Sequence, residues 1–487
     1  MLRSFPRPPL ALAVAAMALA ACSGDLAGPA APGSAPALSQ GAPAGRFVLL
    51  ARAESLPADL AAQLAAAGGT LEQAFPELGV AVASAADPAF RARAGRLAWV
   101  ESVAAALTVR QAEPAEAAAH VAVADADDAP SAAPRAGAAG LADDEPFYAL
   151  QWAPAAVQAP EVWKAGFTGR GVRVAIVDGG LYADHADLSA NVDRAASRSF
   201  VPGFAWDQDA GTFWHGTHVA GIVAAGDNGV GGIGIAPGAT LIGVKVLHGN
   251  VGPFDGIIAG VYYAATPREQ GGAGAHVVNL SLGLSIDAAD REVRADLREL
   301  EKAMDRATRY ARRQGATVIA SAGNDARSFD QDRTWVGVPA QSAHVLAVSA
   351  TGPLGWALGA RDFSRLASYG TFGKAVVDLA APGGDSALPG SERCRVASTT
   401  QFCRVFDGYL STMRGSAPAG GYTWSSGTSM AAPVVSGIAA LVIEAGGGRM
   451  APAQVEAALR RGAADLGKPG NDEVYGHGWV NALRSVQ

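Results

Sequence analysis

Three side chains in the second half of the sequence have the types and local settings of catalytic groups. Asp178 follows an apolar, β-branched run and precedes two glycines, which indicates a carboxylate at the end of a buried strand. His215 precedes a glycine and an apolar helical segment, and imidazole is the natural base near neutral pH. Ser429 opens a long apolar helix, where backbone N–H groups and the positive helix end can stabilise a developing oxyanion. A carboxylate, a base and a hydroxyl are together candidates for nucleophilic catalysis.

These candidates need a scaffold, and the sequence after residue 143 predicts a parallel sheet. Short apolar stretches alternate there with helical segments, which indicates an α/β fold with helices on both faces of the sheet. Helices are predicted at 255–265 and 290–314, and the many Arg and Glu residues of the second predict a solvated outer face. Reactive groups in such sheets collect at the carboxyl ends of strands, where Asp178 lies. The predicted strands are 172–177, 240–246, 277–280, 317–321, 345–348 and 376–379.

A smaller unit is predicted before this sheet. Residues 46–109 read as strand, helix, two strands, helix and strand, which is the α+β ferredoxin-like order. Its segments are 47–50, 58–67, 70–75, 78–83, 88–97 and 99–107. Residues 110–142 are rich in Ala, Asp and Pro with little periodicity, and they predict an exposed linker where a chain is readily cut.

The amino terminus has the pattern of an export signal. Arg3 and Arg7 precede an apolar run at 10–21, which is too short to cross a bilayer but suits a signal-peptide core. The run ends Leu-Ala-Ala-Cys and resembles a bacterial lipobox, so lipidation of Cys22 is predicted; the alternative is ordinary cleavage with an incidental cysteine. Residues 23–45 are rich in Ala, Gly, Pro and Ser and predict a flexible tether.

Composition excludes several classes of protein. The 487 residues carry a net charge of -7, which lacks the basic footprint of a nucleic-acid binder. A hydrophobic fraction of 49% with 17% charged residues excludes global disorder. Three cysteines are too few for a disulfide scaffold. In an oxidising compartment Cys394 and Cys403 can close a small loop; the alternative is two buried thiols.

The three candidate segments together resemble the subtilisin-like serine proteases, the subtilases. The matching phrases are Val-Ala-Ile-Val-Asp-Gly-Gly at 174–180, His-Gly-Thr-His-Val-Ala-Gly at 215–221 and Gly-Thr-Ser-Met-Ala-Ala-Pro at 427–433. The similarity extends from about Pro146 to the carboxyl terminus, and the small unit resembles the inhibitor-like propeptide of the family. The resemblance therefore implies a subtilisin-like sheet at 143–487, a propeptide at 46–111 and a linker or processing region at 112–142.

The resemblance implies roles for the candidates. Asp178, His215 and Ser429 would form a triad that hydrolyses peptide bonds through an acyl-enzyme. Asn324 lies in the Ser-Ala-Gly-Asn segment at 321–324, which matches the family's oxyanion asparagine. A precursor would process itself and be inhibited by its own propeptide. The rival functions are a catalytically inactive peptide-binding envelope protein and a peptide ligase of the same fold.

Substrate-binding residues follow from the same comparison. Ser281, Leu282 and Gly283 resemble a pocket wall, with Gly323 beside the asparagine, and 249–252 would supply the opposite edge for β-strand addition of the peptide. Gly337 matches a pocket floor, where a missing side chain predicts broad cleavage after bulky apolar residues. The insertion at 384–408 precedes the nucleophile and could narrow the cleft, which would change that preference; the alternative is that it only adds to the surface.

A structural calcium ion is the one cofactor that the resemblance implies. Asp187 matches a carboxylate ligand, and the glycine-rich loop at 226–232 has the length of the family's calcium loop. Asp144 or Glu145 would add an amino-terminal ligand, and the alternative is a glycine-rich surface turn. The expected protein is a monomer that acts on proteins or peptides, exported either free or lipid-anchored to the cell envelope. The loop ligands would be Gly226, Asn228, Val230 and Gly232.

Overall fold

A computed structural model describes residues 45–111, 121–125, 145–287, 291–331 and 335–487 of the chain. The predicted signal, the tether with Cys22, most of the linker and Asp144 lie outside these residues. At 121–125, 284–287 and 291–292 only the backbone is described.

The amino-terminal unit is a four-stranded antiparallel sheet in the order β2-β3-β1-β4, and it carries two helices on one face. Leu49, Leu64 and Phe90 are fully buried in the core between sheet and helices. The predicted ferredoxin-like order is confirmed. The elements are β1 (Arg46–Ala51), α1 (Leu60–Ala66), β2 (Thr70–Phe75), β3 (Val80–Ser84), α2 (Phe90–Ala94) and β4 (Val100–Ala105).

The large unit follows two further short strands. Those strands are β5 (Thr108–Arg110) and β6 (Val121–Asp125). The elements up to residue 321 are α3 (Ala153–Ala156), α4 (Ala159–Lys164), β7 (Arg173–Asp178), β8 (Arg198–Ser199), α5 (His215–Ala224), β9 (Thr240–Lys245), β10 (Val251–Pro253), α6 (Phe254–Ala265), β11 (Val277–Leu280), β12 (Leu284–Asp287), α7 (Arg291–Arg313) and β13 (Thr317–Ser321). The remaining elements are β14 (Trp335–Val338), β15 (Val345–Thr351), β16 (Leu379–Pro382), β17 (Arg393–Val396), β18 (Thr399–Phe402), β19 (Tyr409–Met413), β20 (Gly421–Ser425), α8 (Thr428–Ala445), α9 (Pro452–Gly462) and α10 (Ala482–Val486).

The central sheet has seven parallel strands in the order β16-β15-β13-β11-β7-β9-β8. Two buried apolar clusters lie on its two faces: one contains α5 and α8, the other α6 and α7. Helix α8 is long and apolar enough to cross a membrane, yet it lies buried inside the protein as a core helix. The subtilisin-like α/β architecture is therefore confirmed.

One predicted strand is displaced. The apolar run at 376–379 predicted a strand, but β16 begins at Leu379. Val376 and Val377 lie instead in a small separate cluster with Phe329 and Ala322. Hydrophobicity alone predicted that the two valines are buried, but it did not distinguish a sheet core from a satellite cluster.

The linker prediction is wrong for five residues. Strand β6 pairs antiparallel with β20, which extends the β19–β20 hairpin to three strands. The open edge of a hairpin offers unpaired backbone groups to any extended segment. The alternating sequence Val-Ala-Val-Ala at 121–124 was the available signal for this strand.

The prediction of a solvated face for the charged helix α7 is also wrong in part. Arg306 is buried and donates to the carbonyl oxygens of Leu78 and Gly79, both at 3.2 Å, and of Ala51 at 2.9 Å. Asp296, also buried, forms an ion pair with Arg91. The charges of α7 therefore bind the amino-terminal unit, which covers this helix.

Candidate active site

The three candidate groups meet at the carboxyl edge of the sheet. Asp178 is the last residue of β7, His215 the first of α5 and Ser429 the second of α8. Both carboxylate oxygens of Asp178 lie 2.9 Å from His215 Nδ1. All three residues are buried, at 2%, 6% and 6% exposure respectively. A carboxylate at this distance favours the tautomer with the proton on Nδ1, which leaves Nε2 as the basic nitrogen.

Gly216 allows helix α5 to approach β7 closely. A Cβ atom at this position would lie 2.4 Å from the carbonyl oxygen of Gly180 and 3.0 Å from Cβ of Asp178. Any larger residue would therefore push the start of the helix, and His215 with it, away from the carboxylate.

The start of α8 is anchored by a buried polar network. The carbonyl of Ser429, which Pro433 cannot satisfy, accepts a hydrogen bond of 2.8 Å from Ser281 Oγ. Asn279 Nδ2 donates to that same hydroxyl at 2.9 Å, and Ser436 Oγ donates to Asn279 Oδ1 at 2.8 Å. The Ser429 hydroxyl lies 3.3 Å from the Ser281 carbonyl oxygen. Sequence reasoning matched Ser281 to a substrate wall but missed its hydroxyl as a support for the nucleophile.

Asn324 lies beside Ser429 with its side-chain orientation determined by Thr428. The Thr428 backbone N–H and hydroxyl donate to Asn324 Oδ1 at 2.9 and 2.8 Å. The Thr428 hydroxyl in turn accepts from the Gly323 N–H at 3.2 Å. Because Oδ1 is engaged by two donors, the Nδ2 group is the end of the amide that can donate to a reacting oxygen.

Sequence reasoning missed Lys245, a buried cation near the Asp178 carboxylate. Its Nζ donates to the carbonyl oxygens of Gly179 and Leu247 and lies 3.7 Å from Asp209. Burial lowers the pKa of Lys245, and the Asp209 and Asp178 carboxylates oppose that shift. The ammonium therefore holds the turn that follows Asp178.

The segment that follows the amino-terminal unit, residues 108–111 of this same chain, lies in the cleft. Strand β5 pairs antiparallel with β10, and the Gln111 N–H donates to the Asn250 carbonyl oxygen at 2.9 Å. Gln111 Nε2 lies 3.0 Å from the Ser281 carbonyl oxygen, 3.4 Å from His215 Nε2 and 3.5 Å from Ser429 Oγ. The edge predicted at 249–252 therefore pairs with a peptide strand, and His215 and Ser429 lie within contact distance of one amide nitrogen. Sequence reasoning used residue 111 only as a boundary.

The glycines predicted to form the wall and floor of a substrate pocket have the following surroundings. Leu282 belongs to the same buried cluster as Val109 of β5, and Gly283 follows it directly. A Cβ atom on Gly337 would lie only 3.3 Å from Cε1 of Phe329. The space that the missing side chain was predicted to open is therefore bounded by an aromatic ring.

The structure places Asp187 next to the glycine-rich loop. The Asp187 carboxylate accepts from the Gly226 N–H at 3.1 Å, the Gly232 N–H at 3.2 Å and Asn228 Nδ2 at 3.3 Å. Glu145 accepts from the Asn228 and Gly229 N–H groups. Burial, and then the nearby Glu145 carboxylate, raise the pKa of Asp187 well above its usual range.

Further hydrogen bonds in and around this loop concern the oxygens that could bind a cation. The Val230 N–H donates to Asn228 Oδ1 at 2.9 Å, and the Tyr422 hydroxyl donates to Asp187 at 3.2 Å. Among the described residues, no group of three or more His, Cys, Asp or Glu side chains is placed to hold a metal ion. Any cation here would therefore depend on backbone and amide oxygens beside the two carboxylates.

The insertion forms a hairpin closed by the Cys394–Cys403 disulfide. Both cysteines are buried with Phe406 in an apolar cluster, and Ser386 Oγ lies 3.3 Å from Ser426 Oγ in the nucleophile segment. The disulfide prediction is confirmed, and the base of the insertion contacts the residues before Ser429.

Comparison with known proteins agrees with this geometry. The model of the subtilase family matches residues 169–478. The chain is 34% identical over 334 residues to alkaline elastase YaB of Bacillus sp. (strain YaB), covering 68% of this chain and 69% of that protein. It is also 34% identical over 336 residues to subtilisin BL of Lederbergia lenta, covering 68% and 97% respectively.

A solved structure shares the fold over most of the chain. The epidermin leader peptide processing serine protease of Staphylococcus aureus superposes with a TM-score of 0.68 and 21% identity, covering 93% of this chain and 98% of that one. That likeness concerns the fold, whereas the family match and the 34% identities concern the sequence. The chain belongs to the subtilase family and is a subtilisin-like serine endopeptidase.

Proposed function

We propose that this protein is an exported endopeptidase that hydrolyses peptide bonds through Asp178, His215 and Ser429 and processes its own precursor. The observation that carries the proposal is the convergence of the three groups, with both Asp178 oxygens 2.9 Å from His215 Nδ1. An intact acid–imidazole pair beside a serine at a helix start favours catalysis over an inactive peptide-binding protein.

The reaction has two halves. His215 Nε2 takes the Ser429 proton as the serine oxygen attacks the peptide carbonyl, and Asp178 stabilises the imidazolium that forms. Collapse of the tetrahedral intermediate breaks the C–N bond, and His215 gives its proton to the leaving amine. Water then attacks the acyl-enzyme with His215 again as base, and the carboxylic acid and free Ser429 are restored.

Asn324 would stabilise the negative oxygen of each tetrahedral intermediate. The two hydrogen bonds from Thr428 hold its Oδ1, which supports donation from Nδ2 toward the cleft. Losing one such donor raises the activation barrier by about 3 kcal/mol.

Residues 46–111 would act as a propeptide whose last residues inhibit the cleft until the chain is cut. In an antiparallel strand successive N–H groups point to opposite sides, and the Gln111 N–H points to Asn250. Because Gln111 Nε2 lies 3.4 Å from His215 Nε2 and 3.5 Å from Ser429 Oγ, we place the processed bond directly after this segment, between Ala112 and Glu113.

The decisive experiment compares wild type with Ser429→Ala and a matched Ser364→Ala control, which changes a serine outside the site. Wild type and the control are expected to lose the propeptide, start at Glu113 and digest casein, whereas Ser429→Ala stays a full-length, inactive precursor. Maturation and digestion by Ser429→Ala would overturn the proposal. Fluorophosphonate labelling of Ser429 separates an enzyme from a binding protein, and product masses with added amines separate hydrolysis from ligation.

Export and anchoring are separate proposals. The signal-like residues 1–21 and a relative named extracellular basic protease, from Dichelobacter nodosus, support export. Lipidation of Cys22 would anchor the mature chain to the cell envelope. Metabolic labelling with a radioactive fatty acid tests this, because label retained by a Cys22→Ser variant would contradict it.

Subtilases commonly bind structural calcium, and the loop at 226–232 would hold such an ion together with Asp187 and Glu145. Two buried carboxylates converge there, and burial, followed by the neighbouring Glu145 carboxylate, raises the pKa of Asp187; a cation would offset both effects. Oxygens of Asn228 and of the Gly226, Val230 and Gly232 backbone would complete the set. The ion would stabilise the fold and take no part in the chemistry.

A further inference from the structure

We propose that Phe329 closes the bottom of the specificity pocket, so that this protease cleaves after small residues such as alanine rather than after bulky ones. The proposal rests on the proposed function, because it concerns the side chain that precedes the scissile bond. It replaces the expectation of broad cleavage after large apolar residues.

The candidate floor residue Gly337 lies on a strand that pairs with the segment directly after the candidate wall. Strand β12 pairs with β14, with Ser285 opposite Gly337 and Leu284 opposite Val338. Gly283 directly precedes β12, two residues before Ser285, the partner of Gly337. The two candidate pocket glycines are therefore neighbours at the start of this ribbon.

The directions of the two missing side chains define what bounds the space beside these glycines. A Cβ on Gly283 would meet the Ser321 carbonyl oxygen at 3.5 Å, at the end of β13 just before the segment that leads to Asn324. A Cβ on Gly337 would meet the Phe329 ring, at 3.3 Å from Cε1 and 3.6 Å from Cζ. Phe329 therefore lies where the floor would otherwise continue downward.

The ring is held in place by its surroundings. Phe329 is 3% exposed and packs in a cluster with Ala322, Ala347, Val376 and Val377. Its backbone N–H donates to the Phe372 carbonyl oxygen at 3.0 Å. A side chain anchored in this way cannot move aside for a substrate without uncovering the cluster.

Packing also joins Phe329 to the segment that leads to the candidate oxyanion asparagine. Ala322, which contacts the same cluster, is two residues before Asn324. A methyl group fits above a ring in this position, but a phenyl or isobutyl group would have to occupy the ring's own volume. The chain's own sequence agrees, since an alanine follows Gln111.

The test measures kcat/KM on two peptide p-nitroanilides that differ only in carrying Ala or Phe before the scissile bond. Wild type is expected to prefer Ala by at least tenfold. Phe329→Ala should shift the ratio toward Phe by tenfold or more, and Phe329→Leu should shift it in the same direction by less. Because each ratio is measured within one preparation, losses of folded enzyme cancel.

Val377→Ala is the matched control, because it thins the same cluster without touching Gly337, and its ratio should equal that of wild type. A wild-type preference for Phe, or an unchanged ratio in both Phe329 variants, would overturn the inference. If Phe329→Ala fails to fold, wild type and Phe329→Leu still decide it. Failure of the proposed function would look different, since wild type would cleave neither peptide.

Discussion

At the scale of the residue, Asp407 illustrates how burial of one carboxyl makes stability depend on pH. Its carboxylate accepts the Gly355 and Trp356 N–H groups, both at 2.7 Å, but burial outweighs these bonds and raises its pKa to about 6. The folded state therefore holds a proton that the unfolded chain, with its ordinary pKa near 4, releases. The contribution of the protonated Asp407 to the free energy of unfolding is fully present below about pH 4 and is lost as the pH rises through 6.

We expect Asp407→Asn to remove this part of the pH dependence. In the parent protein, titration of this group should make the free energy of unfolding fall by on the order of 2 kcal/mol between pH 4.5 and pH 7. The variant should lack this fall. Urea unfolding in an inactive Ser429→Ala background measures both without self-digestion. The assignment fails if parent and variant lose equal stability over that range.

At the scale of the element, the loop at 226–232 is expected to depend on calcium. A ligand that binds only the folded state raises the melting temperature by mass action, so a chelator should lower it in the Ser429→Ala protein. Asp187→Asn should abolish the response to chelator, because it removes one of the two buried carboxylates.

Asp184→Asn is the control for the calcium prediction, since Asp184 is three residues away and pairs with Arg194 at the surface. Its response to chelator should match the parent's. Differential scanning calorimetry with and without chelator gives all three melting temperatures. An identical melting temperature of the parent in both buffers would remove the calcium assignment.

At the scale of the whole molecule, the amino-terminal unit and the large unit share an interface to which the buried Arg306 contributes. Arg306→Ala would leave the Leu78, Gly79 and Ala51 carbonyl oxygens without this donor, at a cost of about 2 to 4 kcal/mol. In the uncut Ser429→Ala precursor we expect residues 46–111 to become markedly more sensitive to added trypsin.

The control for that prediction is Arg309→Ala, because Arg309 is more exposed and lies 3.8 Å from Glu54. A surface pair of this kind contributes little, so digestion should proceed as in the parent. Equal protection of the small unit in Arg306→Ala and the parent would show that the buried guanidinium does not hold the two parts together.

The sequence by itself determined the elements and the chemistry that they carry. Strands 277–280 and 317–321 were predicted with the bounds that the structure has, because continuous apolar runs between turn residues are a local property of the chain. The types of Asp178, His215 and Ser429, and the motifs around them, likewise led to the family. Those signals are carried within a few residues of each position.

Only the tertiary structure decided which distant residues complete the site. Gln111 is 318 positions from Ser429, and no periodicity relates a glutamine after a short strand to a nucleophile so far along the chain. No signal in the sequence around Phe329 predicts that its ring lies next to Gly337 of β14. The charges of α7 read as a solvated face until the small unit covered Arg306. Contacts of this kind depend on how whole elements pack, and packing is a property of the folded chain rather than of any one segment.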